Sequence, residues 1–378
     1  MSFTDALGVL FNFQKFITIP NYSKNSHVKF YIIFLRMVPV MLVISLTVFE
    51  IFKTNFFINS HPIHVENDLN ALIDFVIKLC YVINRFGVAS VIFMGLRDNS
   101  NHLLLIEKIL ILEEKLFNLN FRRKTNFFSR SNIESFLVFS LNLIAGISYW
   151  WFDVIESEFN TVLLHCLFIF VIISDNMMIL YFINFFREFT KLIMFIVERG
   201  KIIENKFHLL SITKDYIEVV ALINAGLGRI IFVNIIQYFL VSTASLYLLT
   251  WLLIEAAFLK TQNILIIACS FWVVEVFGII ILLCQVGNKL TVKIEELFIF
   301  LKDFSCPFED VQQPKFLRFN KEQFLLWKFH SEIRIIAADS IPINNFGYFS
   351  IVSFIATYFI ILMQFRQMEQ EILNGQQL

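Results

Sequence analysis

Several polar and aromatic side chains lie within long apolar runs of the sequence, and their chemistry would suit a site for a small organic molecule. They are Asp74, Lys78, Trp151, His165, Tyr247, Trp251, Glu255 and Trp272. Carboxylates, an ammonium and an imidazole supply charge and hydrogen bonds, and indole and phenol rings supply flat apolar walls. Small-molecule sites are mostly apolar with a few placed polar groups. These residues therefore predict a ligand pocket, provided that the fold brings them together.

Four of these side chains also have a purely structural interpretation. Asp74 and Lys78 are four residues apart in the acid-then-base order that stabilises a helix, so the pair could neutralise itself. Trp151 belongs to a Tyr-Trp-Trp run typical of the aromatic belt at a membrane interface. His165 could be a hydrogen-bonded packing residue. Further polar residues inside apolar runs are Ser174-Asp175-Asn176 and Glu275. The sequence leaves these alternatives open.

Enzymatic and metal-binding motifs are absent from the sequence. There is no GxSxG, HExxH or GxxxxGK[ST] pattern, and Gly226-Leu-Gly228-Arg is too short for a dinucleotide-binding loop. The histidines have no metal-ligand spacing, and the five cysteines form no CxxC pair. The sequence therefore predicts a protein that is not an enzyme and has no metal, cofactor or nucleic-acid partner.

The elements that must position the pocket residues are the apolar runs themselves. The chain has 378 residues, of which 57% are hydrophobic and 16% charged, with 47 phenylalanines, so a disordered or highly charged protein is excluded. A bilayer core about 30 Å thick is spanned by about 20 apolar residues in a helix. The sequence predicts one domain, residues 1–378, that is an all-α membrane protein with seven transmembrane helices. The spans lie at about 30–52, 71–96, 133–155, 161–186, 230–255, 263–285 and 346–365.

The distribution of basic residues between the spans predicts the orientation. Lys and Arg are enriched in cytoplasmic loops. Of the 31 basic residues, 25 lie in the N-terminal segment and in the long connections 97–132, 187–229 and 286–345, which alternate with short ones. The N-terminus and the long loops are therefore expected in the cytoplasm, which places the C-terminus outside the cell. Apolar and charged residues alternate at helical spacing in 103–115 and 290–302, so we expect long helical cytoplasmic loops.

The last predicted span contains the most specific pattern. It ends with Thr357-Tyr358, five hydrophobic residues and then Gln364-Phe365. These nine residues resemble the C-terminal motif of insect gustatory receptors, and residues 337–344 resemble that family's lead-in to its final helix. Seven spans with a cytoplasmic N-terminus match the family as well.

The resemblance implies a tastant-gated, non-selective cation channel built as a homo- or hetero-tetramer of related subunits. Each subunit would give its last helix to a central pore and would hold a ligand pocket among the outer halves of its helices. The cytoplasmic helices would form the main subunit contacts. Gln364 and Phe365 match the family's pore constriction, and Ile361 lies one turn before Phe365. Thr357 and Tyr358 would pack the last helix against its neighbours.

One departure from the family bears on the ligand. Sugar receptors commonly have Glu directly after Thr-Tyr, whereas this chain has Phe359. The sequence therefore favours a bitter or other apolar tastant, although a fructose-type receptor would lack that Glu too. The resemblance implies a location in the plasma membrane of sensory neurons.

Two other classes of function are compatible with an apolar chain of this kind. A seven-helix receptor coupled to a G protein would need an external N-terminus, against the charge distribution. A transporter often has internal repeats and broken helices. Neither is visible in the sequence.

Overall fold

Helices make up nearly all of the described structure. The computed structural model describes residues 3–17, 41, 42, 44, 45, 47, 48, 68–117, 130–153, 159–200, 206–255, 263–305 and 334–376. The elements follow in the order α1 (Phe3–Ile17), α2 (Asp68–Arg97), α3 (Asn99–Phe117), α4 (Arg130–Asp153), α5 (Phe159–Gly200), α6 (Lys206–Glu255), α7 (Asn263–Ser305), β1 (Ile336–Ala337), β2 (Ile341–Pro342) and α8 (Asn345–Gln376).

The predicted helical character is confirmed, and several helices run well beyond the predicted spans. α5 continues past 186 to Gly200, and α7 continues past 285 to Ser305. α6 begins at Lys206, ahead of its predicted span at 230. The segment 103–115, predicted to be helical, lies in α3. In α5, α6 and α7, the apolar span and the adjoining charged segment thus form one continuous helix.

Part of the membrane-spanning pattern is visible in these helices. Within the described residues, stretches long and apolar enough to cross a membrane, by length and composition, are Ser211–Trp251, Ser270–Ile299 and Asn345–Met368. Shorter apolar stretches are Val82–Gly95 and Ser131–Ile144. The first predicted span, 30–52, lies mostly outside the described residues. The number of seven spans and the orientation stay predictions.

The N-terminal helix packs into the bundle through one apolar face. Phe3, Leu7, Leu10 and Phe11 are buried, as expected for an amphipathic helix. The Phe3 ring meets that of Phe185 on α5 edge-to-face, at 5.1 Å between centroids. The first backbone N–H groups of a helix have no partner within the helix. The backbone N–H of Phe3 donates to a carboxylate oxygen of Glu113 on α3 over 2.7 Å. The acid therefore fixes the start of α1.

Ion pairs connect helices within the segments predicted to be cytoplasmic and, at Glu134, at the edge of a predicted span. They join α3 to α6, α4 to α5, and the α2–α3 turn to α6. The pairs are Lys108–Glu218, Lys115–Asp215, Arg187–Glu134 and Arg229–Asp98. The more exposed of these pairs, Lys108–Glu218, contributes little by itself, whereas Arg187–Glu134 is largely buried. Their role is to hold the register of helices whose apolar faces already pack.

One buried polar contact lies beside these pairs. His102 on α3 is fully buried, and its Nε2 lies 3.0 Å from the Tyr181 hydroxyl on α5. Burial lowers the pKa of His102 to about 3, so the imidazole is neutral at physiological pH. The contact is therefore a hydrogen bond between neutral groups and adds no charge to the core.

A short hairpin precedes the last helix. Ile336 pairs with Pro342 in the antiparallel register, and the N–H of Ser340 donates to the carbonyl of Ala337 over 3.0 Å. Ala338 and Asp339 have φ values of 46° and 55°, the left-handed pair of a type I′ turn. An alanine in this conformation is strained by its Cβ. The turn is thus held by its surroundings rather than by its own sequence.

The hairpin is held against α6 by one amide side chain. The Nδ2 of Asn224 on α6 donates to the carbonyl of Arg334 over 2.9 Å, and the N–H of Ile336 donates to Oδ1 of Asn224 over 3.2 Å. The side-chain amide thus both donates and accepts, in the same way as the backbone of a neighbouring strand would. The hairpin therefore follows any displacement of this part of α6.

Two glycines let the hairpin region approach the long helices closely. A Cβ at Gly228 of α6 would lie 3.0 Å from the carbonyl oxygen of Ile336. A Cβ at Gly287 of α7 would lie 2.3 Å from the carbonyl oxygen of Ile343. The segment leading into α8 is thus seated directly on the backbones of α6 and α7.

A methyl group at Gly287 should loosen this seat. Gly287→Ala places the new carbon against the Ile343 carbonyl, a backbone atom that cannot turn away, and overpacking of this kind costs about 1–3 kcal/mol. We expect a lower unfolding temperature for the detergent-purified protein, followed by tryptophan fluorescence. Gly278→Ala on the same helix is the matched control, because nothing lies within 4 Å of its added Cβ. Equal unfolding temperatures for the two variants would contradict the close approach.

Candidate functional site

A set of amide, carboxyl and phenol side chains joins four helices inside the apolar bundle. We call it the polar cluster, and its members are Asn142 of α4, Asn176 of α5, Tyr238 of α6 and Glu275 of α7. The Nδ2 atoms of Asn142 and Asn176 donate to Oε1 of Glu275 over 2.6 and 3.1 Å. Asn176 also donates to Oδ1 of Asn142 over 3.0 Å, and the Tyr238 hydroxyl donates to Oδ1 of Asn176. The four helices are therefore joined by one continuous set of hydrogen bonds.

The hydrogen-bond donors of the polar cluster are all neutral, and this determines which interactions the carboxyl group of Glu275 receives. Amide N–H groups orient the carboxylate of Glu275 and hydrogen-bond it, but they bring no positive charge. Polar groups inside a membrane protein are costly unless paired, and they usually face the bundle interior. Each amide here donates and accepts at once, so the cluster fixes the rotation of its helices about their axes.

A second group of buried polar side chains continues from the polar cluster. Gln237, the neighbour of Tyr238 on α6, donates through Nε2 to Oδ1 of Asn84 on α2 over 3.1 Å and to Oδ2 of Asp175 on α5 over 2.8 Å. A Cβ at Gly87 of α2 would lie 2.0 Å from Oε1 of Gln237. Glycine at this position therefore lets the Gln237 side chain enter between the helices.

Three residues of the predicted ligand pocket can be placed in the structure. Trp272 is half-buried on α7, three residues before Glu275, so the two positions are neighbours on one face of the helix. Tyr247 and Trp251 are buried on α6. The other predicted pocket residues lie on helices α2, α4, α5 and α6, but their side chains are outside the described part of the structure; they are Asp74, Lys78, Trp151, His165 and Glu255.

The last helix uses the inner side of its motif to pack against α6. Ala244 and Tyr247 of α6 are buried together, and three residues of α8 pack against them: Phe359, Leu362 and Met363. Tyr247 thus lies at the α6–α8 contact, whereas Trp272 lies beside the polar cluster on α7. The described contact of Tyr247 is therefore with α8, and Trp272 has its place next to Glu275 on α7.

The start of the motif adds a second contact between the same helices. The ring of Tyr358 meets that of Phe239 on α6 edge-to-face, with 5.5 Å between centroids and 75° between planes. Tyr358 nevertheless remains 50% exposed. The Thr357 hydroxyl donates to the carbonyl of Ser353 one turn back, over 2.8 Å, so it is satisfied within its own helix. The predicted packing role of Tyr358 therefore has a described partner, and that of Thr357 does not.

The other side of α8 is not covered by the described chain. Phe365 is 63% exposed and Ile361 is 37% exposed, and Gln364 between them is also exposed. Arg366, on the packed side, is buried. The residues predicted for the pore constriction thus share the uncovered side of the last helix. Their place in a pore stays a prediction.

α6 contacts both the polar cluster and the last helix through adjacent residues. Tyr238 donates to Asn176 in the cluster, and Phe239 contacts Tyr358 on α8. Consecutive side chains of a helix point about 100° apart, so this turn of α6 presents one side chain to the polar cluster and the next to α8. A shift or rotation of this turn would reach both α8 and the cluster.

Two members of the polar cluster are not foreseen from the sequence. Asn142 and Tyr238 each appear there as a single polar residue in an apolar run, whereas Asn176 and Glu275 stand out as polar residues within predicted spans. A side-chain amide in the middle of an apolar helix is the available signal, because such a group needs a partner on another helix. Which helix supplies the partner is visible only in the fold.

The fold is similar to that of solved insect receptors over nearly its whole length. The insect olfactory receptor OR5 from Machilis hrabei in complex with eugenol matches with a TM-score of 0.57 and 13% identity, covering 96% of this chain and 97% of the other. A second structure of the insect olfactory receptor OR5 from Machilis hrabei matches with a TM-score of 0.56 and 10% identity, covering 95% of this chain and 97% of the other. At this identity the comparison establishes a shared fold. It supports the resemblance to the insect odorant and gustatory receptor family.

Comparisons of the sequence itself give no match. No protein-family profile matches the chain. No curated protein matches it either.

Removal of the central amide should destabilise the bundle more than removal of a peripheral one. Asn176→Ala leaves the Tyr238 hydroxyl without its acceptor and takes one donor from Asn142 and from Glu275. Leaving buried polar groups unpaired costs about 1–3 kcal/mol. We therefore expect a clear fall in the unfolding temperature of the detergent-purified protein.

Asn234→Ala is the matched control for this variant. Asn234 is a buried amide on α6 whose described hydrogen bond runs to the carbonyl of Ile230 in its own helix, over 3.0 Å. Its loss should lower the unfolding temperature much less. If both variants melt alike, the polar cluster has no special role in holding the helices.

Proposed function

We propose that this chain belongs to the insect odorant and gustatory receptor family and forms one subunit of a ligand-gated, non-selective cation channel. The shared fold supports the receptor assignment, and the sequence motif at the end of α8 favours the gustatory branch. The subunit has seven spans, a cytoplasmic N-terminus and an extracellular C-terminus, and residues 1–378 form one domain. It acts in the plasma membrane of sensory neurons.

The observation that carries the proposal is the division of α8 into a packed and an uncovered side. One side of the motif packs against Ala244 and Tyr247, and the other leaves Gln364 and Phe365 exposed. A helix that only anchored a single-chain bundle would have no need of an amide on its outward side next to lipid, where it lacks a partner. An exposed Gln364 is suited to a position where other subunits or water supply its hydrogen bonds.

The gate of the channel is formed by the uncovered residues of four last helices around a common axis. Ile361 and Phe365 lie one turn apart and form two apolar rings, and an apolar constriction blocks ions because water leaves it. Gln364 donates and accepts hydrogen bonds between subunits and holds the closed arrangement. The four subunits are copies of this chain or of related receptors.

The ligand pocket lies among the outer halves of the helices. Trp272 contributes an aromatic wall above Glu275, and the predicted residues Asp74, Lys78, Trp151, His165 and Glu255 belong to the same region. Tyr247 connects this region to α8, and Trp251 lies one turn further along α6. The ligand is a small tastant, bitter or otherwise apolar rather than a typical sugar; a fructose-type ligand is the alternative within the family.

A patch-clamp experiment tests the channel function. Tastant-evoked cation current should persist in excised membrane patches without GTP, because the ligand opens the pore formed by the receptor itself. Current that depends strictly on GTP would indicate a G-protein-coupled receptor and end the proposal. A G-protein-coupled receptor also needs an external N-terminus, and an epitope tag at Met1 tests this independently. A tag that antibodies reach only after the cells are permeabilised supports the channel proposal.

Truncation of the proposed gate residue should raise the basal current. Phe365→Ala removes the larger of the two apolar rings, so the closed pore should wet and leak ions without ligand. The basal current, normalised to surface expression, should rise several-fold. Phe349→Ala is the matched control: Phe349 is equally exposed, at 65%, but lies about 160° away around α8. A leak that is the same in both variants would remove Phe365 from the gate.

A further inference from the structure

The carboxylate of Glu275 is held in a way that leaves one oxygen available. Oε1 accepts two amide hydrogen bonds, from Asn142 and Asn176. Oε2 accepts no hydrogen bond from a residue that the structure describes. The Glu275 side chain is half-buried, whereas Oδ1 of Asp175 is fully buried without a hydrogen-bond partner. The cluster thus aims one carboxylate oxygen while leaving the other open.

Glu275 has no cationic partner among the described residues. The described ion pairs lie elsewhere, between charged side chains of α3, α4, α5, α6, α7 and the α2–α3 turn. Two N–H donors on one oxygen suit an acceptor-only carboxylate. Neutral amides cannot balance its charge, and ionised groups within a bundle of apolar helices are normally paired. A positively charged group bound at Oε2 would balance the carboxylate.

Trp272 adds the second contact that a cationic group requires. It lies three residues before Glu275 on α7, so the two side chains are neighbours on one face of the helix, and Trp272 is only half-buried. An indole face attracts an ammonium group, most strongly where water is excluded. A carboxylate oxygen and an indole together form a recognition site for organic cations.

We propose that the ligand carries a protonated amine or quaternary ammonium group, which binds Oε2 of Glu275 and lies against Trp272. The aromatic or aliphatic remainder of the ligand occupies the apolar pocket. The inference rests on the proposed function in one respect, since it takes the pocket to be the ligand site of the receptor. It adds the chemical class of the ligand and the residue that selects it.

Two probe molecules of the same shape, one charged and one neutral, show how much of the binding depends on the positive charge of the ligand. Benzyltrimethylammonium and neopentylbenzene have the same shape, and only the first is a cation. The same comparison is made for a small panel of aromatic amines and their uncharged carbon analogues. Binding to the purified full chain is measured as thermal stabilisation, and channel opening as whole-cell current. We expect the cations to bind at least tenfold more tightly than their neutral isosteres.

Glu275→Gln removes the charge but keeps an oxygen that can accept from both amides, so the cluster should stay folded. We expect it to weaken cation binding at least tenfold and to change binding of neutral compounds less than twofold. Asp175→Asn is the matched control, because Asp175 is a carboxyl group of the same region with a buried free oxygen. It should leave cation affinity unchanged.

The outcomes separate this inference from the channel proposal. Cation binding that depends on Glu275 without any evoked current supports the ligand class and counts against the channel. Currents evoked by neutral compounds and unchanged in Glu275→Gln support the channel and overturn the ligand class. A wild-type chain that none of the cations stabilises, or that binds both isosteres equally, overturns the ligand class as well.

Discussion

Polar side chains among apolar helices have no water to bind, and this constraint governs how the helices of the protein are arranged. Apolar faces alone would allow a helix to rotate or slide, because one aliphatic contact is much like another. Asn176 removes that freedom, since its amide must meet Asn142, Tyr238 and Glu275 together. Gln237 does the same for α2 and α5. In the segments predicted to be cytoplasmic, where water competes, charged pairs take over this role.

The last helix obeys a different constraint. Its start is fixed by the hairpin, which is seated on Gly228 and Gly287 and clamped by Asn224. Beyond this anchor, α8 touches the rest of the chain along one side only, while Phe365 stays largely exposed. A helix fixed at its first turn and packed on one side can tilt more easily than one enclosed by neighbours. That mechanical freedom is what a pore-lining helix needs.

The sequence predicts the helices well because the signal is local. Apolar runs and helical spacing place α2 and α4–α8, and the charged segment 103–115 is helical as expected. The sequence predicts less clearly where each helix begins and ends. A helix such as α6 passes from a polar to an apolar segment without a break in its backbone, so the change in composition does not mark an end of the helix. Candidate pocket residues such as Tyr247 were grouped by depth alone. The predicted depth of a residue in the membrane does not show that Tyr247 contacts α8 while Trp272 lies next to Glu275 on α7. The side that each helix turns toward its neighbours depends on partners far away in the chain.

The strength of the polar cluster is suited to signalling as well as to folding. Each neutral hydrogen bond contributes only about 1 kcal/mol net, so exchanging two or three of them changes the free energy by a few kcal/mol. Allosteric coupling between sites is commonly about 1–3 kcal/mol. A ligand that binds Glu275 differently in two states could therefore shift the hydrogen bond of Tyr238 at an affordable cost. Since Phe239 follows Tyr238 and touches Tyr358, the same turn of α6 would carry that shift to the proposed gate helix.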